Sequence, residues 1–160
     1  MKSRTSTRVA NGALVAALYV IFTYISSLFG LSSGAIQLRL SEALCVLPLW
    51  VKGSTLGLFV GCILANLLTG CALWDVVFGS LATLIAAIVT SKMKRFKWCA
   101  PLPAIVSNTI VVPLVLSYVY NVPETLPYLF FTVFAGEFLS AGVLGSAVIY
   151  AREKRHKKQK

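Results

Sequence analysis

Four charged side chains, Arg39, Glu42, Asp75 and Glu137, interrupt or border long apolar runs, and they are the residues best placed to do chemistry. Fourteen of the fifteen Lys and Arg residues lie in terminal segments or in short breaks between apolar runs. Arg39, in Gln37-Leu38-Arg39-Leu40-Ser41-Glu42, is the exception. Only five acids are present, and three of them belong to this set. A charge at the centre of a membrane helix costs about 2.5–3.5 kcal/mol on insertion scales. A small chain that keeps four such charges has a use for them. Arg39 and Glu42 stand three residues apart, so on a helix their side chains can meet. The pair reads either as an internal ion pair that neutralises both or as part of a transport route. Asp75 reads equally as an interfacial cap at the start of a span. Glu137, between Gly136 and Phe138, has no basic residue nearby in sequence and needs a partner, a proton or a ligand. Fully ionised, three acids and one Arg sum to −2. Such a pocket suits a cation or a ligand rich in N–H donors.

The elements that position these residues follow from composition. The chain is 58% hydrophobic and 12% charged, against about 25% charged in soluble domains, and its mean hydropathy is +0.82. A span needs roughly 20 apolar residues, so six fit and leave short loops. Span one is expected from about Val9 to Phe29. Its basic start and apolar centre are those of a signal peptide, but the run is long for one, and Gly30-Leu31-Ser32-Ser33-Gly34 is a better loop than a cleavage site. Span two, about Ile36 to Val51, is short and carries Pro48, which disfavours a straight helix. An irregular span must line a cavity or be covered by protein. The remaining spans are expected at about Thr55–Leu68, Leu73–Ser91, Pro101–Tyr120 and Leu126–Tyr150, with a turn-rich loop at 121–125.

The net charge of +10 raises the question of nucleic acid, but the distribution points to a bilayer. Basic residues cluster at Lys2, Arg4 and Arg8, at Lys92, Lys94, Arg95 and Lys97, and from Arg152 to Lys160, each cluster flanking an apolar run. This is the positive-inside pattern. Six spans place both termini, with basic tails 1–8 and 151–160, and the loops at 52 and 92–97 on the cytoplasmic side. Residues 1–160 then form a single transmembrane domain. Arg39 and Glu42 enter span two from outside, and Asp75 begins span four there. Glu137 lies roughly 16 Å into span six at 1.5 Å per residue. Asn66, near the outer end of span three, and Tyr118 and Tyr120, at the outer end of span five, can converge with them. Asn108 starts deeper. Trp50, Trp74, Phe134, Phe138, Tyr118 and Tyr120 offer stacking surfaces, although interfacial aromatics are most often belt residues. Trp74 and Tyr118 are the more exposed candidates.

Small residues recur at four-residue spacing: Ala13 and Ala17 in span one, and Gly57, Gly61 and Ala65 in span three. The pattern lets helices approach closely. In span three it reads as packing within the chain, and in span one it could instead dock a partner. Cys45, Cys62, Cys71 and Cys99 form no CxxC pair and have no neighbouring His, so they read as small apolar thiols rather than a zinc site. No metal or cofactor is expected. There is no P-loop, HExxH or nucleophile elbow, so no enzyme activity is expected. Uphill transport would draw on an ion gradient or on another subunit.

The segment Gly34-Ala35-Ile36-Gln37-Leu38-Arg39-Leu40-Ser41-Glu42-Ala43-Leu44 resembles the hallmark of the QueT family of queuosine-precursor transporters. So do Gly57-Leu58-Phe59-Val60-Gly61-Cys62-Ile63-Leu64-Ala65-Asn66 and Phe78-Gly79-Ser80-Leu81-Ala82-Thr83-Leu84, and Asn108 and Gly136-Glu137 continue the match. The resemblance covers nearly the whole chain. It implies an all-α polytopic membrane protein, a six-helix substrate-binding S component of an energy-coupling-factor (ECF) transporter in the plasma membrane of a prokaryote. Such components work with a transmembrane T component and two ATPase subunits, which use the ATP. They tip in the membrane to move the loaded site inward. A small-residue face on the first helix contacts the T component, and Ala13 and Ala17 match that pattern. The implied substrate is 7-aminomethyl-7-deazaguanine or queuine. Glu42 or Glu137 would take the base edge and another acid the ligand's amine, with Gln37 and Asn66 for the carbonyl and Trp74 or Tyr118 for stacking. Arg39, Asp75 and Asn108 complete the expected site. The rival readings are a stand-alone proton-coupled carrier for an organic cation, with Glu137 as the coupled site, and a structural subunit without a ligand.

Overall fold

The computed structural model describes residues 2–30 and 38–158. Gln37 and the start expected for span two at Ile36 lie outside them. Helix α1 covers Lys2–Leu28, α2 Ser54–Leu68, α3 Leu73–Lys92, α4 Leu102–Tyr118, α5 Leu126–Glu137 and α6 Gly145–Lys158. A 3₁₀ helix at Leu40–Leu49 stands between α1 and α2, and a π-helical segment at Phe138–Leu144 joins α5 to α6. Among the described residues there is no strand. Helical elements therefore fall where all six apolar runs predict them. Helix α1 starts at Lys2 and α6 runs on to Lys158, so the described basic residues near both termini are helical.

Length separates the spans into two kinds. Four helical stretches, Arg4–Leu28, Leu73–Lys92, Lys97–Tyr118 and Leu126–Lys158, are long and apolar enough to cross a membrane. The 3₁₀ helix and α2 are apolar but short. At about 2.0 and 1.5 Å per residue they reach roughly 20 and 22 Å, against a hydrocarbon core of about 30 Å. Length alone thus supports four full spans, not six.

The 3₁₀ helix is the hub. It touches α1, α2, α3, α6 and the π segment, and Ser41 to Val46, Pro48 and Leu49 are all buried. This satisfies the requirement that irregular backbone at membrane depth be covered by protein. The 3₁₀ form suits a short segment, because it advances about 2.0 Å per residue rather than 1.5 Å. Close approach comes from small residues. A Cβ at Gly57 would run into the carbonyl oxygen of Gly12, and one at Gly145 would sit 3.2 Å from Val46. Gly53 adopts φ +97°, a left-handed conformation that glycine allows, with its backbone against that of Arg8. The expected packing role of Gly57 and Gly61 within the chain is what these contacts show. The four cysteines are free thiols.

These contacts bring the basic clusters to one end of the bundle. Gly53 abuts Arg8, the Arg152 guanidinium lies 4.7 Å from the Trp50 ring centroid, and Lys97 Nζ pairs with Glu153 Oε1 at 3.5 Å. Arg39 is bonded to Asn66, near the far end of α2. Arg39, the one basic residue set among apolar positions, therefore faces the opposite end.

Candidate functional site

At that opposite end a polar cluster is buried among apolar helices. Arg39, Glu42, Cys62, Asp75, Gly79, Thr83, Asn108, Val112 and Glu137 line one cavity. Each charged member is placed by a helix end or an irregular turn. Arg39 is the extended residue before the 3₁₀ helix, with φ −102° and ψ 110°, and Glu42 lies in that helix's first turn. Asp75 sits in the first turn of α3. Glu137 is the last residue of α5, where the π segment begins; π segments recur at functional sites. Asn66 and Asn108 come from α2 and α4. Ties to α1 set the start of the 3₁₀ helix: Thr23 Oγ1 donates to Ser41 Oγ at 2.8 Å, and the Leu40 amide donates to Ser26 Oγ at 2.9 Å.

The charges divide into two groups. Arg39 donates to Asn66 Oδ1 at 3.2 Å and stands 4.0 Å from Asp75 Oδ2. Tyr120 completes this group: its hydroxyl donates to Asp75 Oδ2 at 3.3 Å and accepts from the Ala72 amide at 2.8 Å. Tyr120 lies beyond the end of α4, and its partial burial pushes its pKa up from the ordinary value. Deeper in, Glu42 Oε1 accepts from the Tyr19 hydroxyl, and Glu137 Oε1 accepts from Asn108 Nδ2 at 3.0 Å. Glu137 Oε2 and Arg39 Nε are buried without a hydrogen-bond partner among the described residues. Free space among these side chains is about 10 Å³, close to one water-sized sphere. A larger ligand needs the surrounding elements to separate.

The structure thus brings together Arg39, Glu42, Asn66, Asp75, Asn108 and Glu137. It corrects the expected Arg39–Glu42 contact. Arg39 is extended rather than helical, so its side chain leaves the 3₁₀ helix for α2 and α3, and Glu42 turns to α1 instead. Trp74 and Tyr118 do not join the cluster: they are 58% and 72% exposed. Trp74 stacks on Phe78 with centroids 5.9 Å apart. Adjacent helical residues point about 100° apart, so when Asp75 faces in, Trp74 does not. Gln37 lies outside the described residues. Tyr19 was missed, although Tyr19, Thr23 and Ser26 form a hydroxyl stripe at spacings of four and three along α1. Cys62, Gly79 and Thr83 also line the cavity. Ala13 and Ala17 lie on an exposed face of α1, while Val15, Ala16 and Tyr19 are buried.

Comparison with known proteins gives consistent results. The family model described as QueT transporter matches residues 9–154. A curated protein from Lactococcus lactis subsp. cremoris (strain MG1363), described as "Queuosine precursor transporter QueT", is 37% identical over 86 residues, 53% of this chain and 50% of that protein. The match therefore spans about half the length of that relative. No solved structure matches the chain.

Proposed function

This chain belongs to the QueT transporter family, a family of multi-pass membrane proteins in keeping with its long apolar helices, and on that premise we propose that it binds a queuosine precursor in the buried acidic cluster. The substrate class is 7-aminomethyl-7-deazaguanine or queuine. One observation carries this reading: Glu137 is buried, held by Asn108 through Oε1, and has Oε2 unpartnered among the described residues. Arg39 lies against Asp75 rather than Glu137, so the inner carboxylates remain available. A deazaguanine edge offers N–H donors that make charge-assisted hydrogen bonds to a carboxylate. The ligand's ammonium group suits a second acid. Glu137 takes one of these groups and Glu42 the other, with Asn108 alongside.

We further infer a six-segment bundle of the ECF S-component type, in which the two short elements complete the four long spans. Residues 1–160 form one transmembrane domain in a prokaryotic plasma membrane. The basic end of the bundle faces the cytoplasm and carries both terminal segments. The cluster end faces outward, as capture of an external nutrient requires. Exposed Ala13 and Ala17 on α1 support docking to a T component, with two partner ATPases supplying the energy.

Titration of the purified chain with 7-aminomethyl-7-deazaguanine, queuine and guanine tests the substrate assignment. Saturable binding of one of the first two, stronger than that of guanine, is expected. No binding of either would overturn the reading. A stand-alone proton-coupled carrier also draws on the buried Glu137. It predicts uptake that persists without T and ATPase subunits and collapses with an uncoupler, whereas the S-component reading predicts a stable complex with those subunits.

A further inference from the structure

We propose that the basic end of the bundle holds a binding site for an anionic lipid headgroup, distinct from the acidic cluster at the other end. A cleft of about 700 Å³ opens between the 92–99 segment and α6. Four cations, Lys94, Lys97, Arg152 and Lys157, line it against one carboxylate, Glu153. Lys97 pairs with Glu153 at 3.5 Å. Lys94, Arg152 and Lys157 pair with no carboxylate among the described residues.

Two features make this more than a scattered basic surface. First, Arg152 is held in place, with its guanidinium 4.7 Å from the Trp50 ring centroid. This cation–π contact holds the guanidinium without a carboxylate partner among the described residues, so N–H donors remain to grip an oxyanion. Second, the cleft is amphipathic. Leu49 and Trp50 supply apolar wall beside the cations. Phe96 and Trp98, 62% and 54% exposed, extend the apolar surface along the adjoining segment. Aromatic side chains of this kind sit at headgroup level, and basic pockets between helices at that level bind anionic headgroups. A free phosphate would use the cations alone, whereas a lipid uses both surfaces.

The test titrates the full chain, purified in neutral detergent, with dioctanoyl phosphatidylglycerol, dioctanoyl phosphatidylcholine and inorganic phosphate, reading binding by native mass spectrometry. Phosphatidylglycerol should bind well ahead of the other two. Each charge removed should weaken it about fivefold. Lys94→Gln/Arg152→Gln/Lys157→Gln should therefore lose the preference. Lys154→Gln/Arg155→Gln/Lys158→Gln removes three charges from the same helix outside the cleft and should retain it. Equal binding of both lipids overturns the proposal. So does phosphate binding as tightly as phosphatidylglycerol, or equal loss in both triple variants.

Discussion

Asn108 donates to one oxygen of Glu137 and leaves the other, Oε2, buried without a partner among the described residues. A buried acceptor left unmatched costs about 1–3 kcal/mol, more when it is charged. Under the proposed binding role that cost has a use, because a ligand donor can pair with Oε2.

Glu137→Gln keeps the size of the side chain and can still accept from Asn108, but it removes the charge. Hydrogen bonds to charged groups contribute roughly 1.5–3 kcal/mol, so affinity for the deazaguanine should fall about 10- to 100-fold. Calorimetric titration measures this, with the thermal unfolding midpoint as a check on the fold. Unchanged affinity would remove Glu137 from the site.

Arg39 and Asp75 have side chains only 12% and 10% exposed, 4.0 Å apart. Removing one member strands the other. Arg39→Met should destabilise by about 3–5 kcal/mol, and Arg39→Met/Asp75→Asn should recover most of the loss. Unfolding in detergent across the double-mutant cycle reads the coupling. If the double variant is no more stable than Arg39→Met, the two charges do not compensate each other.

The sequence revealed the helices more fully than the site, for physical reasons. Lys52-Gly53 and Gly70-Cys71 break the apolar run on either side of α2, and its bounds lie within one residue of expectation. The irregular second segment was readable from its shortness and Pro48. What escaped was direction. Arg39 looked like a helical neighbour of Glu42 because spacing is counted along a helix, and Arg39 precedes one. Tyr120, rather than Tyr118, reaches Asp75: α4 ends at Tyr118, and the chain turns at Asn121, with φ +49°. Tyr19 sits in an apolar helix where a tyrosine reads as filler, and only its register with Thr23 and Ser26 sets it apart.

Tyr19 is 1% exposed and donates to Glu42. Tyr19→Phe leaves that carboxylate oxygen without its donor, at a cost of about 1–3 kcal/mol. The unfolding midpoint should drop, and Tyr19→Phe/Glu42→Leu should restore it while abolishing substrate binding. A midpoint unaffected by Tyr19→Phe would show that Glu42 finds another donor.

The two faces of α1 carry similar small residues and should respond oppositely to enlargement. On the inner face, Gly12 and Gly57 are in backbone contact, and a Cβ at Gly57 has nowhere to go. Overpacking of this kind costs about 1–3 kcal/mol, so Gly57→Ala should lower the unfolding midpoint of the isolated chain. On the outer face, Ala13 and Ala17 are exposed. Ala13→Trp and Ala17→Trp should leave the midpoint and the substrate affinity near wild type yet impair co-purification with T and ATPase subunits. A tryptophan there occupies the space a partner helix needs for close approach, as small-residue faces allow. Normal assembly in both variants would place the partner contact elsewhere on the bundle.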